Sequence, residues 1–232
     1  MGDSHRYVML LSSLPYHGPL FSAKVTPLSR IRLQERLSLL EPDDRREVDA
    51  VAKLLDWYYH PVQKSDEEIV RLAKKVMSEL KYPFSRELLT WRLEVRTVIA
   101  ALRRRQQGKD IMAVDREWGY GRWLSHIRKY WQEPYFRLEK VYPWLPDAAR
   151  FMDRGESIAL ERLLLEVIWN YLQRMEDGHV FDFGQVLIYL LRWDQVGRWT
   201  VANGEAAEAR YVALVEEGLE QIQETLQPVL AG

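Results

Sequence analysis

The 232-residue chain contains no cysteine, which excludes a disulfide framework, a thiolate zinc site, an iron–sulfur cluster and a cysteine nucleophile together. Long apolar runs are also missing. Runs such as Val8 to Leu11 and Val186 to Leu191 fall far short of the roughly 20 residues of a membrane-spanning helix. Arg6 precedes a short stretch that reaches Pro15 without a small-residue cleavage pattern, poor material for a signal peptide. The expected location is therefore cytoplasmic. Charge of one sign is lacking too. Thirty-three Lys+Arg against 34 Asp+Glu leave a formal net charge of −1, so the chain has no overall positive field and no nucleic-acid partner is expected. Glycine and proline, at 12 and 10 residues, are too scarce for a collagen-like or low-complexity chain.

Chemistry-bearing motifs are absent as well. The sequence holds no GxxxxGK[ST], GxGxxG or GxSxG, hence no foothold for phosphate cradling, dinucleotide binding or a hydrolase elbow. His5, His17, His60, His126 and His179 form no i, i+4 pair and no HExxH motif. No catalytic residue, cofactor or metal is expected, and a non-enzymatic role is favoured over an all-helical enzyme with a dispersed site.

What is present is helical. From Thr26 onward the apolar period is close to 3.6. Thr26-Pro27 reads as an N-cap followed by proline at the first helical position, with Leu33, Leu37 and Leu40 on one face. A second helix is expected from the Pro42-Asp43-Asp44 turn to Tyr59, stopped by His60-Pro61. Ser65-Asp66-Glu67-Glu68 has the form of a capping box ahead of the stripe Ile69, Leu72, Ala73, Val76 and Leu80. A long helix from about Ser85 to Gln107 closes on Gly108 with Arg103, Arg104 and Arg105 in its last turns. Its apolar residues, Leu88 to Leu102, occupy more than one face, so it is expected to be the central core helix. Between Asp110 and Asp153 short helices and turns are expected. Long helices then run from about Gly155 to Asp177 and from Phe181 to Trp193. A Gly197 to Gly204 turn precedes a last helix, capped by Asn203 and reaching Leu226, whose six glutamates against Arg210 make its outer face acidic. Tyr7 to Leu14 is read as a short extended N-terminal arm, since a lone strand would have no partner. The fold class is thus all-α: a helical bundle of long and short helices forming one unit over 1–232, with packed lobes 1–110 and 111–232 as the alternative.

Two sets of residues stand out. Glu94 and Arg96, and Glu166 with Asn170, lie within the most apolar helices; they form either a paired polar core or a face turned to water. Arg103, Arg104 and Arg105 are the strongest basic cluster. Cations at a helix C-terminus are favourable through the backbone dipole, and Arg is also an anchor residue at protein interfaces, so the cluster is a candidate partner contact.

The residues also carry a resemblance. LEVRTVIAALRRRQQG, Leu93 to Gly108, resembles the "ELRN-IAAL-AR--G" helix of a family of uncharacterised proteins encoded among bacterial V-type ATPase genes. YVMLLSSLP, from Tyr7, is similar to that family's opening "YY-LVASLP"; ERLLLEVIWNY, from Glu161, to its "E-ID-LRW"; and FGQVLIYLLRWDQVGRW, from Phe183, to its "FE-ILAYLLKL-I-ERW". The chain departs at Thr97, where the family usually has Asn, and at Gly184 and Gly197, where Glu is common. The resemblance implies an adaptor in the place of the C (d) subunit of a V-type ATPase. Such a protein is non-catalytic and peripheral at the inner membrane. It binds the rotor stalk subunits on one side and the membrane proteolipid ring on the other. A free-standing helical chaperone or protein-binding scaffold is the alternative.

Overall fold

The computed structural model describes residues 2–55, 65–109 and 118–204. The fold is all-α, and no strand occurs among the described residues. The helices are α1 (Gly2–Ser12), α2 (Arg30–Leu37), α3 (Pro42–Leu55), α4 (Asp66–Glu79), α5 (Pro83–Gln106), α6 (Leu124–Lys129), α7 (Leu145–Asp153), α8 (Ser157–Met175) and α9, which runs over 183–204.

Local chemistry explains most boundaries. Ser65 caps α4 by accepting from the Glu68 amide at 3.2 Å, and the Glu68 carboxylate accepts from the Ser65 amide at 2.8 Å, completing the capping box. Pro83 occupies the first turn of α5, where its missing N–H costs nothing. At the other end, the Gly108 amide donates to the Arg105 carbonyl and the Lys109 amide to that of Arg104, both at 3.0 Å. This is a Schellman closure, and Gly108 takes the φ of +66° that it requires.

Helix α5 is central, as its multi-faced apolar pattern implies. From Arg92 to Leu102 only Arg96 escapes full burial. Its N-terminal half joins two groups. Leu89 packs with Leu10 of α1, Leu37 of α2, Val51 of α3, Val76 of α4 and Val186 of α9. Leu88 packs with Ile168 and Leu172 of α8 and Ile188 of α9. Its C-terminal half, Val95 to Leu102, packs against Trp118, Ile127 of α6, Phe136 and Leu145 of α7. Each fully buried leucine or phenylalanine contributes about 1.5–3 kcal/mol of hydrophobic stabilisation.

Three expectations are corrected. The N-terminal segment is a helix over Gly2–Ser12 and not an extended arm: Tyr7, Leu10 and Leu11 fall at i, i+3 and i+4 and face the core, Leu14 packs there just past the helix end, and Val8 and Met9 are exposed. Helix α2 starts later than Thr26-Pro27. Its cap is Ser29, which accepts from the Arg32 amide, and Thr26 instead donates to the Leu28 carbonyl at 2.9 Å. Helix α9 passes straight through Gly197 to residue 204 instead of breaking there. Burial of Val196 and Trp199 against Leu20 and Leu165 offsets the roughly 1 kcal/mol that a mid-helix glycine costs. The expected stop at His60-Pro61 and the acidic last helix beyond residue 204 lie outside the described residues.

Candidate functional site

The polar residues within the apolar helices separate into two groups. Glu94 is buried and anchors the loop that precedes α6. Its Oε1 accepts from the Arg122 amide at 3.1 Å and lies 3.4 Å from Arg122 Nε. One turn on, the buried Thr97 Oγ1 accepts from the Tyr120 amide at 2.8 Å, while its own proton faces the carbonyls of Leu93 at 2.8 Å and Tyr120 at 2.9 Å. The loop presses onto α5 so closely that a Cβ on Gly121 would lie 2.4 Å from Glu94 Cγ, and one on Gly119 would lie 2.6 Å from Thr97 Cγ2. Gly121 also has φ +104°, which L side chains rarely adopt. Glu94 and Thr97 therefore clamp a glycine-bearing loop to the central helix. Glu166 and Asn170, by contrast, are exposed on α8 and take no part in a polar core.

Arg96 is half-buried and reaches the first residue of α4: its Nη2 lies 3.5 Å from Asp66 Oδ1. Arg104 approaches the same carboxylate more closely, with Nη2 at 2.9 Å and Nε at 3.3 Å from Oδ2. The basic end of α5 is consequently not one free patch. Arg104 is tied to Asp66 and lies over the Trp118 ring. Arg105 donates to the Glu133 carbonyl at 2.8 Å, with its guanidinium 4.7 Å from the centre of the Phe136 ring. It thus braces a left-handed turn in which Tyr135, Phe136 and Arg137 all have φ between 50° and 57°. Arg103 alone of the three is exposed.

Sequence reasoning missed Arg92 and Arg198. Arg92 is 7 % exposed, one turn before Arg96 on α5, and Arg198 of α9 pairs with Glu161 of α8. Burial, with Arg198 nearby, pushes the Arg92 guanidinium down to about 9, against the opposing pull of Asp194 and Glu161. Burial likewise lowers Arg96; Asp66 opposes the shift and Arg103 adds to it. These side chains surround a cleft of about 60 Å³ between α4, α5, α8 and α9, whose polar lining is Asp66, Arg92, Arg96, Arg103, Glu161 and Arg198. The spacing of Arg92, Arg96 and Arg103 at i, i+4 and i+11 places them along one side of α5. That signal is present in the sequence, but nothing there joins it to an arginine of α9.

Among the described residues, no group of three or more His, Asp or Glu side chains is placed to hold a metal ion. No helix among them is long and apolar enough to cross a membrane. Residues 46–220, about three quarters of the chain, match the family described as "Protein of unknown function (DUF2764)", and the chain belongs to that family. No curated protein and no solved structure matches the chain.

Proposed function

We propose that this protein is a non-catalytic adaptor of a V-type ATPase, similar in role to the C (d) subunit, peripheral at the inner membrane, that couples the central rotor stalk to the membrane proteolipid ring. The observation that carries this reading is the ordered resemblance of four segments, beginning at Tyr7, Leu93, Glu161 and Phe183, to proteins encoded among bacterial V-type ATPase genes. Those segments fall on α1, α5, α8 and α9. Three of these helices, α5, α8 and α9, meet around Leu88, Ile168, Leu172 and Ile188, so the likeness lies in the packed framework of the fold.

Of Arg103, Arg104 and Arg105, the candidate partner contact, Arg103 is the exposed one, and the reading places the contact there. Rim charges act chiefly on association rate and salt dependence. The test is affinity purification of the tagged chain from native membranes, together with its deletion. Recovery of rotor and ring subunits, and loss of rotor-to-ring assembly on deletion, are expected. Recovery of no ATPase subunit with assembly intact would refute the adaptor reading. The scaffold alternative rests on a second feature, an apolar groove of about 110 Å³ lined by Leu33, Leu37, Val51, Leu55, Leu187 and Leu191.

A further inference from the structure

The groove bounded by Leu33 and Leu37 of α2, Val51 and Leu55 of α3, and Leu187 and Leu191 of α9 opens at the surface beside the exposed Gln34, Asp49 and Ala52. Its volume of about 110 Å³ has room for on the order of eight waters. Water held there meets aliphatic walls and few polar partners, so apolar side chains are the better filling. The clefts lined by Arg92 and Arg198 and by Arg105 and Arg150 are charged instead.

The sequence supplies such side chains beyond Gly204, where the described residues end and residues 205–232 follow. Tyr211, Val215, Leu219, Ile222 and Leu226 recur at i, i+4, i+8, i+11 and i+15, one stripe of helical period, while Glu217, Glu220 and Glu224 fall on the opposite side. A stripe of this kind needs another surface to bury it. Position selects the groove. Helix α9 delivers the chain to Gly204, and Leu187 to Leu191 lie about 20–26 Å before that point at 1.5 Å per residue. Val215 to Ile222 lie about 16–27 Å of helix beyond it. A reversal at Asn203-Gly204, a turn-forming pair, therefore brings Leu219 level with Leu190 and Ile222 level with Leu187. The side of α9 that carries Leu187, Leu190 and Asp194 at the groove continues through Val201, which is 47 % exposed. An uncovered apolar position thus marks the way from the turn to the groove.

We infer that residues 205–226 fold back along α9 as an amphipathic helix and seat Leu219 and Ile222 in the groove between α2, α3 and α9, closing it from within the same chain. A helix laid in an apolar groove anchors at i, i+4 and i+7, the spacing of Val215, Leu219 and Ile222. Tethering to the end of α9 raises the local concentration of the segment to roughly the millimolar range, so a modest contact is enough to keep it seated. The docking stands apart from the adaptor reading, and either one survives failure of the other. Under the scaffold alternative, a partner helix has to displace this segment to enter the groove.

The test is disulfide cross-linking in the full-length protein, which has no cysteine of its own. Ala52→Cys, at the exposed edge of the groove, is combined with Leu219→Cys on the stripe or with Glu217→Cys on the opposite side, and disulfide formation under mild oxidation at micromolar concentration is followed on non-reducing gels. The first pair should cross-link within one chain about ten-fold faster than the second. Adding Val215→Asp and Ile222→Asp should abolish that difference by unseating the segment. Circular dichroism checks that each variant is folded; should Ale52 substitution disturb the fold, Gln34→Cys repeats the comparison from the α2 side of the groove. Equal rates for the two pairs, or no cross-link in either, overturns the docking. A cross-linked dimer in place of the monomer assigns the groove to a second copy of the chain and overturns it as well.

Discussion

Thr97→Val replaces one hydroxyl by a methyl at nearly constant volume, and so isolates the polar half of the clamp between α5 and the 119–121 loop. The Tyr120 amide loses its acceptor at 2.8 Å, and the Tyr120 carbonyl loses a donor at 2.9 Å. The Leu93 carbonyl is affected less, because it sits within the helix and keeps its backbone partner. Leaving a buried donor unsatisfied costs about 1–3 kcal/mol. Thr97 is 2 % exposed but Tyr120 is only half-buried, which sets the expected loss at about 2 kcal/mol. For a chain of this length that corresponds to a drop in Tm of roughly 4–8 °C. Thr97→Ser, which keeps the hydroxyl, should cost less than Thr97→Val. Urea unfolding followed by tryptophan emission reads both, with Trp118 and Trp123 close to the loop. A Thr97→Val protein within about 0.5 kcal/mol of the parent, or one more stable than Thr97→Ser, would refute the clamp.

Gly121→Ala should destabilise by about 2–4 kcal/mol, because it combines a positive φ with a Cβ driven into Glu94; chemical denaturation measures it. Arg96→Ala should cost about 1–2 kcal/mol, less than the roughly 3–5 kcal/mol of breaking a fully buried pair, since Arg96 and Asp66 are each about a quarter exposed. Glu166→Ala and Asn170→Ala, on the exposed face of α8, should each stay within about 0.5 kcal/mol of the parent in the same assay. His17 packs against Tyr189 and Trp169, and its buried Nε2 has no hydrogen-bond partner among the described residues. Burial, then Arg192, pushes it down to about 4. The unfolded chain therefore takes up this proton before the folded one does, so stability falls as pH drops from about 6.5 and levels off below about 4. The total is roughly 2–3 kcal/mol after allowance for partial exposure. His17→Asn should flatten that part of the pH–stability curve.

How legible the fold is depends on what each segment advertises. The capping box at Ser65, the Schellman glycine at Gly108 and the many-sided burial of α5 each rest on chemistry within a few residues, and each appears in the structure. Tyr7 to Leu14 misleads because a short apolar stretch fits both periods; the exposure of Val8 and Met9 between buried neighbours marks the helix. Gly197 misleads because a glycine's local cost is visible in the sequence, whereas Leu20 and Leu165, which cover Val196 and Trp199, come from distant parts of the chain. The same limit governs the polar residues. Glu94 and Glu166 both lie in apolar helices, and only the loop from Gly119 to Arg122, folded back onto α5, separates the buried carboxylate from the exposed one. Arg92 and Arg198, 106 positions apart in the sequence, show no local sign of sharing a cleft.

The adaptor role is met most directly by adding the purified protein to a detergent-solubilised rotor complex depleted of its own C (d) subunit, and measuring binding by surface plasmon resonance over a range of ionic strength. The expected result is saturable binding that bridges stalk and ring, with an association rate that falls as salt rises and is slowed by Arg103→Glu while the helical circular dichroism of the variant is unchanged. Failure to bind either the stalk or the ring at any ionic strength would contradict it.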